Sequence, residues 1–274
     1  MTTYLLLDCH YLCYRNHYAL RNLSHNGEST GAIYGFFRDL IIFKDLFDTD
    51  RFIFCFDLGK NKRTELFPLY KSTRKKEWTV EQQEEHHVIH RQIEDLRTEH
   101  LPRLGFQNIL FQPGYEADDI ITSVVKNSLT ENDDAIIVSS DGDLLQLLSH
   151  NIILYNPAKK KCTNRKSFVK QWGIEPCFWG DVKAMAGCVS DGIPGIEGIG
   201  EGTASQWFAG KLKMGKKMRK IENGLDIYAE NVKLTKLPFL GVEKFRLKED
   251  KIDKNEWQKL MKEMGMDTIR NVSL

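Results

Sequence analysis

The chain has 274 residues, 41% of them hydrophobic and 28% charged, with a formal net charge of +1. That length holds one large domain or two modest ones around a substantial core, and the composition is that of an ordinary soluble globular protein. No stretch is long and apolar enough to cross a membrane, the first residues lack the charged-then-apolar layout of a secretory leader, and no repeat or low-complexity tract is visible.

Residues 4–8, Y-L-L-L-D, are short, apolar and end in an acid, the pattern of a buried strand. A loop and short helix carrying Arg15 follow. Between 30 and 47, Ile33, Phe36, Phe37, Leu40, Ile41 and Phe43 recur at helical spacing. R-F-I-F-C-F-D, residues 51–57, is a second buried strand, again ending in an acid, Asp57. From 77 to 104 the pattern predicts a long polar helix with a thin apolar stripe (Val80, Val88, Ile89, Ile93, Leu96, Leu101). His86, His87 and His90 read as part of its exposed polar face rather than as metal ligands, because no fourth ligand is evident. Residues 107–111 and 151–155 are further strands, and strands alternating with helices give a parallel sheet covered on both faces.

The most informative stretch is 114–143. It opens G-Y-E-A-D-D, continues with Ile120, Ile121, Val124, Val125 and Leu129 at helical spacing, and closes on an apolar strand (135–138) followed by S-S-D-G-D. Acids are common in a first helical turn and Asp-Gly is an ordinary turn, so either group alone reads as structural. Glu116, Asp118, Asp119, Asp141 and Asp143 converging on the carboxyl edge of one sheet are different. They repel one another unless a bound cation balances them, which points to a divalent metal site.

The small net charge hides segregation. Basic runs occupy 60–76, 159–170 and 211–220; each alone is most simply a solvated face, but three beside an acid cluster suit a polyanion. Past about residue 172 the character changes. A helix is predicted over 178–187, then C-V-S-D-G-I-P-G-I-E-G-I-G-E-G-T-A, then a helix restarting near Thr203. Such a glycine-rich hairpin feeding a helix N-terminus offers N–H groups to a phosphate, although a plain helical hairpin also explains it. The six cysteines show no C-x-x-C pair and no zinc spacing, which favours reduced thiols in a cytoplasmic protein. The tail after 224 is nearly silent.

L-L-L-D-C-H-Y-L-C-Y-R, S-T-G-A-I-Y-G-F-F-R, F-C-F-D, L-Y-K-S-T-R, Y-E-A-D-D, V-S-S-D-G-D-L-L-Q-L and S-D-G-I-P-G-I-E-G-I-G occur in that order. With them the sequence resembles the 5′-nucleases, the flap endonuclease and 5′→3′ exonuclease superfamily, over roughly residues 4–208. The resemblance implies a PIN-like α/β nuclease domain (1–172) with a mostly parallel sheet and a helical arch at about 71–104. It also implies a C-terminal region (173–274) with a helix-three-turn-helix DNA-binding element. Asp8, Asp57, Glu116, Asp118, Asp119, Asp141, Asp143 and Asp191 match its metal carboxylates, for Mg2+ or Mn2+. The first five are assigned to one site, Asp141 to a bridge, and Asp143 and Asp191 to a second. The resemblance implies that catalysis falls to Lys71 and Arg74 together with Asp8, Asp57, Asp118 and Asp141. Arg15, Tyr70, Lys71, Arg74 and Lys75 are expected against DNA, as are Gly195, Gly198, Ile199, Gly200, Gly202 and Thr203 of the hairpin, where the family often holds K+. The implied partner is branched or 5′-ended duplex DNA, read without regard to sequence by a monomer.

Two positions depart from the family pattern. Cys188 stands where the family has an aspartate of the second metal site, and a thiol is a poor ligand for magnesium. Gly192 replaces an asparagine, a milder change since both tolerate unusual backbone. Two rivals therefore stay open, a DNA-holding protein with an impaired second site and a PIN-type ribonuclease.

Overall fold

The computed structural model describes residues 2–72 and 78–272. β1 (Thr2–Asp8) runs directly into α1 (Cys9–Ala19), whose first turn is capped by Asp8 accepting the Tyr11 N–H at 3.0 Å. A small hairpin, β2 (Ser24–His25) and β3 (Glu28–Ser29), leads to α2 (Gly31–Phe47) and β4 (Phe52–Cys55). After the single turn α3 (Arg63–Leu66), α4 (Val80–Asp95) starts with a reciprocal cap between Thr79 and Gln82. A π turn (Leu96–His100) joins it to α5 (Leu101–Arg103). Then come β5 (Ile109–Leu110), α6 (Ala117–Asn127), β6 (Asp133–Val138), a 3-10 turn (Gly142–Leu147), β7 (Ile152–Asn156) and β8 (Lys161–Thr163). The remainder is helical: α7 (Arg165–Trp172), α8 (Trp179–Ala186), α9 (Glu201–Phe208), α10 (Lys216–Asn223), α11 (Leu225–Thr235), α12 (Lys254–Glu263) and α13 (Asp267–Arg270).

The six strands of the main sheet lie in the order β5-β4-β1-β6-β7-β8, all parallel except β8. Parallel neighbours require crossovers, and the helices that make them cover both faces. Successive residues of the buried strands therefore serve opposite layers. Leu5, Leu7, Phe52, Phe54, Ile136 and Val138 pack with α1, α2, α4 and α12, while Leu6, Ile53, Cys55, Ala135 and Ile137 pack with α6 and α8. Each fully buried Leu, Ile or Phe here stabilises the fold by about 1.5–3 kcal/mol. Because β4, β1 and β6 are adjacent and co-directional, Asp8, Asp57 and Asp141, at or just past their carboxyl ends, emerge side by side.

Helical structure runs without a break from 80 to 103, close to the predicted 77–104, but it changes type on the way. Ile89, Ile93, Leu96 and Leu101 are buried, but Val80 is 82% exposed, so only the second half of the stripe is used. The α conformation gives way to the π turn just ahead of Pro102, which has no N–H to continue the ladder. Residues 73–77 of the expected arch (about 71–104) lie outside the described residues.

The tail that said little in sequence has a definite course. Its segment 236–253 runs along the outside of β5: Lys248 and Asn108 exchange two hydrogen bonds (2.8 and 2.9 Å), and Asp250 accepts the Gln107 N–H at 2.6 Å. At Gly105 (φ +92) a Cβ would stand 1.9 Å from the Lys251 carbonyl, so the crossing needs glycine there. The strap thereby covers what would be an open sheet edge. Beyond it, Trp257 of α12 packs edge-on against Phe37. Core residues from both sides of position 172 share one cluster.

Candidate metal centre and nucleic-acid interface

Asp8, Asp57, Glu116, Asp118 and Asp141 line one pocket of about 580 Å³, with Lys71, His10, Tyr14, His90 and Arg97 on its other walls. Local structure aims each acid. Ser139, fully buried between β6 and the following turn, donates to Asp8 Oδ2 at 2.8 Å and accepts the Asp141 N–H at 3.1 Å, tying two strand ends together. Asp57 accepts the Ala117 N–H at 2.6 Å, so the acid beyond β4 caps the helix that carries Asp118. Asp141 in turn accepts the Asp143 N–H at 2.8 Å.

Crowding shows in the protonation energetics. Burial, then the Asp57 and Asp141 charges, push Asp8 up to about 7. Asp118 is pushed well above the carboxylate range by burial and by Asp141, Asp8 and Glu116. Asp143 rises to about 6 through burial and Asp141, with Lys183 opposing. Among the described residues no three Asp, Glu, His or Cys side chains already close into a set of ligands. Several of the oxygens instead hold the hydrogen bonds just given. An all-oxygen donor set whose members repel one another fits a hard divalent cation such as Mg2+ or Mn2+, which removes that repulsion.

Several expected site residues take other roles. Asp119 does not reach the pocket. It is fully buried, takes both forks of the Arg63 guanidinium at 2.6 and 2.7 Å, and also accepts the Phe239 N–H at 2.7 Å, which leaves it no metal-facing oxygen. Glu116 faces the pocket but is held by Lys71 Nζ, by the Tyr70 hydroxyl at 2.9 Å and by Arg63 at 3.5 Å. Although burial works the other way, Lys71 and Arg63 keep its carboxyl below the usual range. Tyr70 is buried with Ile193 and Leu234, so it orients Glu116 rather than meeting DNA. Arg15 also turns inward, to the buried Asp39 between α1 and α2. Arg74 and Lys75 lie outside the described residues.

Asp143 and Asp191 are not among the residues lining that pocket. Lys183 Nζ stands 3.4 Å from Asp143, and Asp191 Oδ2 accepts from the Cys188 thiol at 3.4 Å. Burial pushes that thiol up, which keeps it protonated and a poor ligand. Asp181 in α8 is engaged by Tyr228 and Lys236 and does not stand in for the missing aspartate.

The glycine-rich segment folds back hard against α8. A Cβ on Gly195 would lie 2.1 Å from the Ala186 carbonyl, a contact only glycine permits. Gly200 caps α9 without a side chain, and a Cβ on Gly200 or Gly202 would meet nothing, so this backbone faces open space. Ile199 belongs to the core instead of the surface. The third basic run comes over the hairpin: Lys217 Nζ donates to Thr203 Oγ1 at 3.1 Å and Lys220 Nζ to the Glu197 carbonyl at 3.2 Å. Hairpin and pocket meet at Lys71, which has φ +54 and donates its N–H to the Asp191 carbonyl at 2.7 Å. A non-glycine residue in that conformation is strained, and strain of this kind gathers at functional sites. Ser139 and the wall residues His10, Tyr14 and Arg97 escaped the sequence reading, because none carries a pattern by itself, while Arg63 was read only within a basic run and His90 only as part of an exposed polar face.

Residues 3–173 match the family model "5′-3′ exonuclease, N-terminal resolvase-like domain". A 5′-3′ exonuclease of Aquifex aeolicus is 33% identical over 206 residues, covering 74% of this chain and 68% of that protein. DNA polymerase I of Thermus thermophilus is 35% identical over 205 residues, 74% of this chain but 23% of the polymerase, so the chain spans about a quarter of such relatives. In fold the chain is similar to the flap endonuclease of bacteriophage T5, solved as a pseudo-enzyme-product complex with DNA and metal ions. The TM-score is 0.71 at 19% identity, over 86% of this chain and 89% of that one. It is also similar to the catalytic core of Rad2 in complex with DNA, with a TM-score of 0.58 at 16% identity, covering 96% and 87%.

Proposed function

The chain belongs to the 5′-3′ exonuclease family, and from that premise we propose that it is a structure-specific, metal-dependent 5′-nuclease. Its substrate on this reading is the phosphodiester near the 5′ end of branched or duplex DNA, and its products carry 5′-phosphate and 3′-hydroxyl ends. The observation that carries the reading is the convergence of Asp8, Asp57, Glu116, Asp118 and Asp141 on one pocket with Lys71 in its wall.

Those five carboxylates would hold Mg2+ or Mn2+, which supplies charge neutralisation for the phosphodiester and acidifies the attacking water. Ser139 keeps Asp8 and Asp141 in register for that task. Tyr70 and Arg63 fix Glu116 from behind, so Lys71 can exchange its carboxylate partner for the anionic phosphate without the wall rearranging. A second ion, shared through Asp141 with Asp143 and Asp191, is the weaker member of the pair, since Lys183 and a protonated Cys188 stand where its charge would be needed. The exposed backbone at Gly198, Gly200 and Gly202, with Lys217 beside it, suits a duplex phosphate and reads no base. K+ on the hairpin carbonyls competes there with Lys220, already bonded to the Glu197 carbonyl. A monomer in the cytoplasm is consistent with this chemistry.

The test is cleavage of 5′-labelled branched DNA with Mg2+ and with chelator, beside a duplex RNA control. Magnesium-dependent cutting near the branch is expected. Tight binding without cutting in any metal would leave a DNA-holding protein, and cutting of the RNA alone would leave a ribonuclease.

A further inference from the structure

His86 and His90 are one helical turn apart on α4, and their Nε2 atoms stand 2.9 Å from each other. Tyr14, from α1, brings its hydroxyl to 3.0 Å from the same His90 Nε2. Three polar atoms from two helices thus meet at one point. Hydrogen bonding serves them poorly, because His90 Nε2 has a single lone pair or a single hydrogen for two partners. Trp78, with its ring 4.4 Å from that of His86, backs the pair from the other side. Burial, helped by neighbouring imidazoles, keeps both rings below the usual histidine range, so they are neutral and their lone pairs are available near neutral pH. His90 is exposed and His86 half-buried, so an ion reaches them from solvent.

From this geometry we propose that His86, His90 and Tyr14 form a binding site for a borderline-soft divalent cation such as zinc, separate from the carboxylate centre. Two imidazoles on one tetrahedral ion, at about 2.0–2.1 Å each, stand roughly 3.3 Å apart, so the rings need only part by a few tenths of an ångström. Nitrogen donors select Zn2+, Co2+ or Ni2+ over Mg2+, whereas an all-oxygen pocket also takes Mg2+ and Mn2+. The Tyr14 hydroxyl supplies a third, weaker donor, because burial pushes it up to about 12 and it keeps its proton; water completes the shell. With two histidines and a tyrosine, the set falls outside groupings of three His, Cys, Asp or Glu. Because Tyr14 sits on α1 and the histidines on α4, loading the site cross-links these helices at the rim of the pocket that His90 and Tyr14 both line.

Cobalt titration in millimolar Mg2+, which competes for the carboxylates, tests the proposal without substrate, and Asp118→Asn reports any cobalt bound there. The full-length protein is expected to bind one Co2+ equivalent with the intense visible absorption of imidazole-ligated, tetrahedral cobalt, displaced by zinc. His86→Gln and His90→Gln should each weaken binding by at least about tenfold, Tyr14→Phe by less, and Asp118→Asn not at all. Circular dichroism of the metal-free variants checks their folds, and His86 and His90, neither of them in the core, provide variants that leave it untouched. The proposal is overturned if both histidine variants bind Co2+ as the parent does, or if Asp118→Asn removes the signal.

Discussion

Replacing Asp119 with asparagine separates a structural acid from a metal-binding one. The Arg63–Asp119 pair is enclosed, with Arg63 1% and Asp119 0% exposed, and two charge-assisted bonds at 2.6 and 2.7 Å. Removing one partner of such a pair strands the other charge, at a cost of about 3–5 kcal/mol. Arg63 retains the Leu234 carbonyl at 3.1 Å, Glu116 at 3.5 Å and the Phe239 ring face. The new amide oxygen can still accept the Phe239 N–H. These remnants place Asp119→Asn at the lower end, about 3 kcal/mol, which for a chain of this size is a fall in Tm of roughly 6–12 °C. Urea unfolding should give a lower midpoint with an unchanged slope. Mg2+ affinity, measured by calorimetry on the folded variant, should stay within a few-fold of the parent. An unchanged midpoint with Mg2+ affinity down tenfold would falsify the structural assignment and return Asp119 to the metal.

Four further outcomes are expected. Asp8→Ala or Asp141→Ala should abolish cleavage while branched DNA still binds in calcium; full activity in either means the pocket is misassigned. Lys71→Ala should slow single-turnover cleavage by ~10²-fold or more with little loss of duplex affinity, and the reverse pattern would make Lys71 a binding residue only. Metal-free stability should fall as pH rises from about 4 to about 7. Asp8, raised from 3.8 to about 7, binds a proton in the folded state across that window while the unfolded chain has released it. Denaturation midpoints in chelator at pH 5 and pH 8 measure this, and saturating Mg2+ should flatten the slope; a midpoint that climbs with pH contradicts it. Finally, Cys188→Asp should lower the Mg2+ needed for half-maximal rate, and superimposable curves for the two proteins would remove position 188 from the second site.

Where hydrophobic periodicity and strand ends define a feature, the sequence reading and the structure agree. The acids at Asp8, Asp57 and Asp141 follow three apolar runs, and a parallel sheet brings such strand ends to one edge whatever the loops do. Asp119 could not be sorted from Asp118 by pattern, because the two are neighbours in a helix and which one faces the sheet depends on Arg63, 56 residues away. Tyr70 and Ile199 matched family positions but were drawn into the core by partners remote in sequence, Ile193 and Leu234 for the first. The strap is held mostly by main-chain groups and by Asn108 and Asp250, which leave no apolar rhythm to read. The histidines of α4 lacked a further ligand in one dimension. Tyr14, on another helix, supplies it in three.

The bond from the Lys71 N–H to the Asp191 carbonyl also acts as a ruler. It joins the segment that carries Lys71 to the loop that starts the glycine-rich hairpin, and Tyr70 and Ile193 pack together right beside it. With Lys71 on the phosphate and the hairpin on the duplex, as proposed, grip and cut would be spaced by a short run of covalent backbone and one hydrogen bond. A nuclease built this way would measure its cut by a fixed offset, and the register of cleavage would belong to the fold itself.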